Sequence, residues 1–343
     1  CEMALNKWEP PSHWIRINTI DVHVAGEPLR IITEGLPPIL GKTILDKRKY
    51  AQAKLDDLRT ALIWEPRGHA DMYGCIITDP VTLDGTLGVI FLHNEGYSTM
   101  CGHGIIGLST VVVETGFVPI KETVIKIDTP AGRVTATAHI QKGKVKEVAF
   151  MNVPSYVYAL DKEVKIPGIG SVRYDVAFGG AFYAILQAKD LDLCLAVDNL
   201  PKLIEMGMRI KHAVTEALPI NHPYEEDLSF LYGTIFVGSA QEKNHHSRNV
   251  CVFAEGEVDR SPTGTGVSAR AALHFTRGEL SMNESFVVES ILGTCFTGRV
   301  VEMTHYGPFE AVIPEVKGSA YIIGRNELLM DPDYPLKNGF FIK

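Results

Sequence analysis

Residues 98–104 read STMCGHG and residues 260–266 read RSPTGTG, so a Gly-X-Gly led by a small side chain occurs twice in the chain. One constant shift lays Cys101, Gly102, His103, Gly104 and Gly116 on Thr263, Gly264, Thr265, Gly266 and Gly278. Each Gly-X-Gly opens a run of helical length, IIGLSTVVVET (105–115) and VSARAALHFTR (267–277). Apart from Arg270 and His274 both runs are apolar almost all round, the pattern of a helix buried on every side. Gly116 and Gly278 fall where a left-handed residue commonly ends a helix. The reading is of two buried helices in equivalent places, one led by a thiol and the other by a hydroxyl.

The duplication reaches further. DVHVAGEPLRII (21–32) matches DVAFGGAFYAIL (175–186), and MYGCII (72–77) matches LYGTIF (231–236). VIFLHNEG (89–96) is set against CVFAEGEV (251–258), which equates Phe91 with Phe253. Anchors in the same order at slowly drifting offsets indicate two halves of one design, not a solenoid of short repeats. TALIWEP, GCIITDP, LGVIFLH, TVIKIDT, RVTATAH, GTIFVGS and NVCVFAE are short, β-branched or apolar, and punctuated by Pro, Gly, Asp or Asn, so they are predicted strands. ILDKRKYAQAKLDDLRTAL (44–62) and LPKLIEMGMRIKHAVTEAL (200–218) are amphipathic and are predicted outer helices. Each half is expected to be β-rich, with one central and one outer helix, the central helices starting face to face across a cleft.

Bulk properties set the bounds. A chain of 343 residues has room for two domains and a large core. Its 45% hydrophobic and 22% charged residues are those of an ordinary soluble protein. A net charge of −8 argues against nucleic acid or an anionic membrane as partner. No uninterrupted apolar stretch approaches the roughly 20 residues of a membrane span. The leading CEMALNKWEPPSHW does not start with Met and lacks the basic-then-apolar layout of a signal peptide. Cys1, Cys75, Cys101, Cys194, Cys251 and Cys295 are scattered, without CxxC or Cys/His clustering. Reduced thiols in a cytoplasmic protein, with no structural metal and no disulfide framework, are expected. His245 and His246, in QEKNHHSRN, read as a solvated loop.

A helix N-terminus leaves amides unpaired and carries partial positive charge, so it attracts anions. Glycines at 102, 104, 264 and 266 remove side chains that would bar a ligand from those amides. Two such tips in one cleft can hold a small carboxylate from both sides. Neither copy extends to a dinucleotide or P-loop pattern. Cys101, before the first glycine, is the candidate base, because a helix N-terminus lowers a thiol pKa from its usual value of about 8.5. Thr263 can donate or accept a hydrogen bond but is no base at neutral pH. His103 and Thr265 are candidate substrate contacts. Asp259 is placed to meet a substrate ammonium, with a salt bridge to Arg260 or Arg270 as its alternative. Arg67, His69 and Asp71 either line the cleft or form a structural network. Cys75 and Cys251, inside strand patterns, read as buried apolar cysteines.

At these residues the sequence resembles the proline racemase family, through GEPLR (26–30), EPRGH (65–69), HNEGYSTMCGHG (93–104), GGAFYA (179–184) and DRSP with TGTG (259–266). The resemblance implies two pseudo-symmetric α/β domains of diaminopimelate epimerase-like fold, each a β-barrel-like sheet around a central helix. It implies that residues 14–155 with 319–343 form one domain and residues 156–318 the other, with the active site between them. It further implies a homodimer and no cofactor, neither pyridoxal phosphate nor metal. Racemases and epimerases of the family carry a Cys in both signatures. Thr263 departs from that pattern and resembles the Thr-bearing branch, which dehydrates trans-3-hydroxy-L-proline. Carried over by position, Cys101 accepts the proton, Gly102, His103, Asp259, Gly264 and Thr265 hold a small imino acid, and Thr263 lines the second face. The alternatives are a racemase or hydroxyproline 2-epimerase with another second base, and a non-catalytic imino-acid-binding protein.

Overall fold

The computed structural model describes residues 8–342, and Cys1 lies outside them. The first half runs β1 (Ile15–Val24), β2 (Glu27–Glu34), α1 (Ile44–Lys54), α2 (Asp56–Ile63), β3 (Tyr73–Thr78), β4 (Leu87–His93), β5 (Gly96–Ser98), α3 (Gly102–Glu114), β6 (Val124–Thr129), β7 (Gly132–Gln141) and β8 (Lys144–Met151). The second runs β9 (Ser155–Ile166), β10 (Gly170–Phe178), β11 (Phe182–Gln187), α4 (Leu200–Ala217), β12 (Leu231–Gly238), β13 (Ser247–Phe253), β14 (Glu257–Asp259), α5 (Gly264–Thr276), β15 (Ser285–Glu289), β16 (Cys295–Tyr306) and β17 (Phe309–Gly318). A last strand, β18 (Ala320–Met330), follows.

The pairing repeats as the sequence does. Strands β2 and β3 are parallel, as are β11 and β12. Antiparallel β3–β4 answers β12–β13, and parallel β4–β6 answers β13–β15. β18 returns across the whole chain to pair with β1, in the place that β9 takes beside β10. One seam, β8 against β17, joins the halves into a continuous sheet, giving a mixed α/β fold built on a β-barrel-like sheet.

Each half wraps its sheet around one helix. Every residue of α3 from Gly102 to Val113 is buried, as is every residue of α5 from Gly264 to Leu273. Gly116 (φ +78°) and Gly278 (φ +69°) take the left-handed conformation that closes these helices. α4 buries one face, Leu203, Met206, Gly207, Ile210 and Val214, against β12 and β13. No helix among the described residues is long and apolar enough to cross a membrane.

Three local expectations are corrected. Residues 44–62 form two helices, not one, because Leu55 leaves helical geometry and Asp56 and Asp57 begin a new first turn, where acids favour a helix start. TALIWEP is not a strand: Thr60–Ile63 finish α2, with Ala61, Leu62 and Ile63 buried under it. The register also shifts the equivalence of the aromatics. Gly74 faces Leu92 whereas Gly233 faces Phe253, so Phe253 matches Leu92 rather than Phe91. A slip of one residue exchanges the two faces of a strand, and it is Phe253 that reaches the inter-half cavity.

Candidate active site

The first turns of α3 and α5 meet tip to tip. A Cβ added to Gly102 would sit 2.5 Å from Gly264 Cα, and one added to Gly264 would sit 2.6 Å from Gly102 Cα. No side chain fits there. The first-turn amides of both helices, which lack intrahelical acceptors, therefore surround one small space.

Cys101, Gly102, His103, Asp259, Thr263, Gly264 and Thr265 all line the cavity at this junction. Cys101 is the N-cap of α3, and its Sγ accepts a hydrogen bond from the Gly104 amide at 3.2 Å. The ring of His103 lies beside it, with Nδ1 3.3 Å from Sγ. Across the junction Thr263 caps α5 with φ 65° and ψ 92°, and its side chain makes no capping bond. Its Oγ1 is buried and makes no well-formed hydrogen bond, but it faces Asp259 and Cys251 closely enough to favour their charged forms. Thr265 Oγ1 meets the Tyr183 hydroxyl at 2.7 Å.

The electrostatics correct one expectation. Burial pushes the Cys101 thiol well above its ordinary value, and the carboxylates of Asp259 and Glu27 add to the rise, against the pull of the Gly104 amide. The helix tip alone does not win, because burial penalises a thiolate more than one amide and a partial dipole favour it. Burial and the Arg260 charge press His103 down to about 3, so its imidazole is neutral at physiological pH. Asp259 is raised by burial and partly restored by Ser261, whose amide donates to its Oδ1 at 2.8 Å.

Asp259 forms no salt bridge with either arginine weighed for it. Arg260 instead turns to Glu27 of the first half, with Nε 3.0 Å from Oε1 and Nη2 3.2 Å from Oε2. Burial and Asp259 still push Glu27 up to about 8. Arg270, fully buried, bonds Ser247 and Asn249. Asp259 thus lines the cavity without forming an ion pair with either arginine.

Several lining residues were not foreseen: Glu27, Tyr73, Tyr183, Tyr232 and Cys251. The signal for two of them was present, since Tyr73 and Tyr232 occupy the same place in MYG and LYG. Cys251 does lie in a strand, but it borders the cavity rather than a purely apolar core. Arg67 and His69 do not line it. Arg67 donates to the carbonyls of Leu329, Ala61 and Lys337, while His69 is exposed beside the Ala70 carbonyl. The carbonyl of Asp71 receives Arg260 Nη2 at 2.5 Å, so this segment braces the site from outside. Residues 241–246 form the expected exposed loop, within which half-buried His245 places Nδ1 2.9 Å from Glu289 Oε1, in a cluster with Arg248.

Two abutting helix tips thus bring a thiol, a hydroxyl and the Asp259 carboxyl group to one cavity. The family model described as proline racemase matches residues 19–341, and this chain belongs to that family. The trans-3-hydroxy-L-proline dehydratase of Colwellia psychrerythraea is 47% identical over 346 residues, covering 99% of this chain and 98% of that protein. A proline racemase of Clostridioides difficile is 43% identical over 332 residues, covering 95% and 98%. A solved hydroxyproline epimerase from Agrobacterium vitis, with trans-4-hydroxy-L-proline bound, matches with a TM-score of 0.89 at 29% identity, covering 96% of both chains.

Proposed function

We propose that this chain dehydrates trans-3-hydroxy-L-proline to Δ1-pyrroline-2-carboxylate, as a hydro-lyase that uses one thiol and needs no cofactor. The observation that carries the reading is the asymmetry of the junction, Cys101 on one tip and Thr263, not a second thiol, on the other. The 47% identity to a protein named for that reaction supports it. In this reading the halves act as two pseudo-symmetric domains, residues 14–155 with 319–343 and residues 156–318.

The substrate carboxylate sits between the helix tips, where the amides of Gly102, His103, Gly264 and Thr265 meet it, and Asp259 faces the ring ammonium. In the trans-3-hydroxy acid the C2 hydrogen and the hydroxyl both lie opposite the carboxylate, hence on one face. Cys101 on that face takes the C2 proton. The C3 hydroxyl leaves as water by syn elimination, and the enamine tautomerises to the imine. Charge building on the carboxylate as C2 ionises is met by fixed amide dipoles in a dry site, where such stabilisation is strongest. Seating the ammonium on Asp259 also offsets one of the charges that oppose the thiolate.

A second reading, a racemase or 2-epimerase with a different second base, draws on one observation: Cys251 lines the same cavity on the side of Thr263. Burial and Asp259 hold that thiol well above its ordinary value, which makes it a poor base. Mass spectrometry separates the readings. Loss of water from trans-3-hydroxy-L-proline supports the first, whereas deuterium gain with inversion of L-proline or trans-4-hydroxy-L-proline in D₂O, without loss of water from the 3-hydroxy acid, overturns it.

A further inference from the structure

Single-thiol chemistry accounts for the C2 proton but leaves the departing oxygen unserved. Hydroxide is a poor leaving group, and a positioned acid typically contributes about 10² to 10⁴ in rate. The sulfur that has just accepted a proton would have to turn and surrender it within one encounter. The cavity holds a better-placed donor. Tyr73, the first residue of β3, lines it on the Cys101 side, and its ring meets the His103 ring edge-on at 4.8 Å between centroids. His103 in turn touches Cys101 Sγ. The Tyr73 hydroxyl donates to Ser98 Oγ at 2.6 Å, three residues before Cys101. Tyr232, its counterpart in the second half, brings a hydroxyl to 3.5 Å from it.

Resting on the dehydratase reading, we propose that Tyr73 is the catalytic acid that protonates the leaving 3-hydroxyl. Cys101 Sγ takes the C2 proton, the C2–C3 double bond forms, the C3–O bond breaks, and the Tyr73 O–H proton passes to the oxygen that departs as water. The proton on sulfur then returns to the phenolate, restoring thiolate and phenol, so the net change is the loss of one water. Ser98 turns its hydroxyl toward the phenolate while it lasts. Burial holds Tyr73 well above its ordinary value, so the phenolate is never stored and the two transfers are closely coupled.

The test compares Tyr73→Phe with the unchanged protein on two substrates. With trans-3-hydroxy-L-proline the variant should lose about 10²-fold or more in kcat. With trans-3-fluoro-L-proline, whose fluoride leaves without a full proton transfer, the loss should shrink to within about fivefold, which also shows that the variant is folded. Equal losses on both substrates would mean that Tyr73 acts through Cys101 or the fold, and overturn the assignment, as would no loss on either. If the unchanged protein fails to dehydrate the hydroxy acid, the dehydratase reading itself has failed. Tyr232→Phe, which removes only the hydroxyl 3.5 Å from Tyr73, should cost less than Tyr73→Phe on the hydroxy acid; a larger cost would overturn the assignment to Tyr73.

Discussion

The tips of α3 and α5 descend from one motif yet spend it differently. Cys101 has extended backbone (φ −142°, ψ 110°) and turns its sulfur back onto its own helix, where it receives the Gly104 amide. Thr263 sits at φ +65°, a conformation rare for a β-branched residue, and its hydroxyl caps nothing. Strain of that kind costs on the order of 1–3 kcal/mol and persists where the surroundings over-determine it, often at functional sites. The first tip stabilises its own reactive atom, and the second turns its hydroxyl toward Asp259 and Cys251 on the cavity wall. A racemase needs acid/base groups on both faces, whereas an elimination whose hydrogen and hydroxyl share a face needs a base on one.

The comparison can be broken most decisively at the sulfur. Cys101→Ala should lower dehydration by about 10² to 10⁴-fold, while losing the N-cap acceptor of the Gly104 amide should cost only about 0.5–2 kcal/mol of stability and leave the protein folded. Turnover near the original rate would end the case for a thiol base. Next comes the contact between the tips. Gly264→Ala forces a Cβ to 2.6 Å from Gly102 Cα. It should cost about 1–3 kcal/mol of stability, read from denaturant midpoints, and depress kcat/KM by about 10²-fold as the amides part.

The pH profile sharpens the contrast further. Because burial raises Cys101, its thiolate fraction below that pKa grows about tenfold per pH unit. kcat/KM should therefore climb with pH past 8. His103, at about 3, is already neutral and adds no inflection near 6.5. A plateau from pH 7 upward would show that the free protein already holds a thiolate. The smallest change in dehydration is expected from Thr263→Cys, less than about tenfold, since the C2 proton still meets Cys101. The variant should nonetheless gain inversion of L-proline, followed by polarimetry, because a second proton donor then faces the opposite side. Absence of any inversion would mean that the second face is barred by geometry and not by chemistry.

Much of this was legible in the residues. Period and punctuation marked both central helices, and the repeated glycines marked their starts and their ends. Where local pattern misled, packing was the cause. TALI has the composition of a strand, but the acids before it and the burial of Ala61 to Ile63 make it the end of a helix. Phe91 and Phe253 look equivalent in the sequence, yet ladder register equates Phe253 with Leu92. Tyr73 and Tyr232 repeat visibly, but an inward-facing strand tyrosine ordinarily reads as core.

By itself the chain determined its duplication, its paired helix starts and the replacement of a thiol by a hydroxyl, because each is written in spacing and residue type over a few adjacent positions. Only the tertiary structure decided that the two tips touch, that Arg260 chooses Glu27 over its neighbour Asp259, and that Cys101 is raised rather than lowered. Those outcomes depend on burial and on charges brought from the other half of the chain, and neither desolvation nor a contact across more than two hundred residues leaves a mark on local sequence.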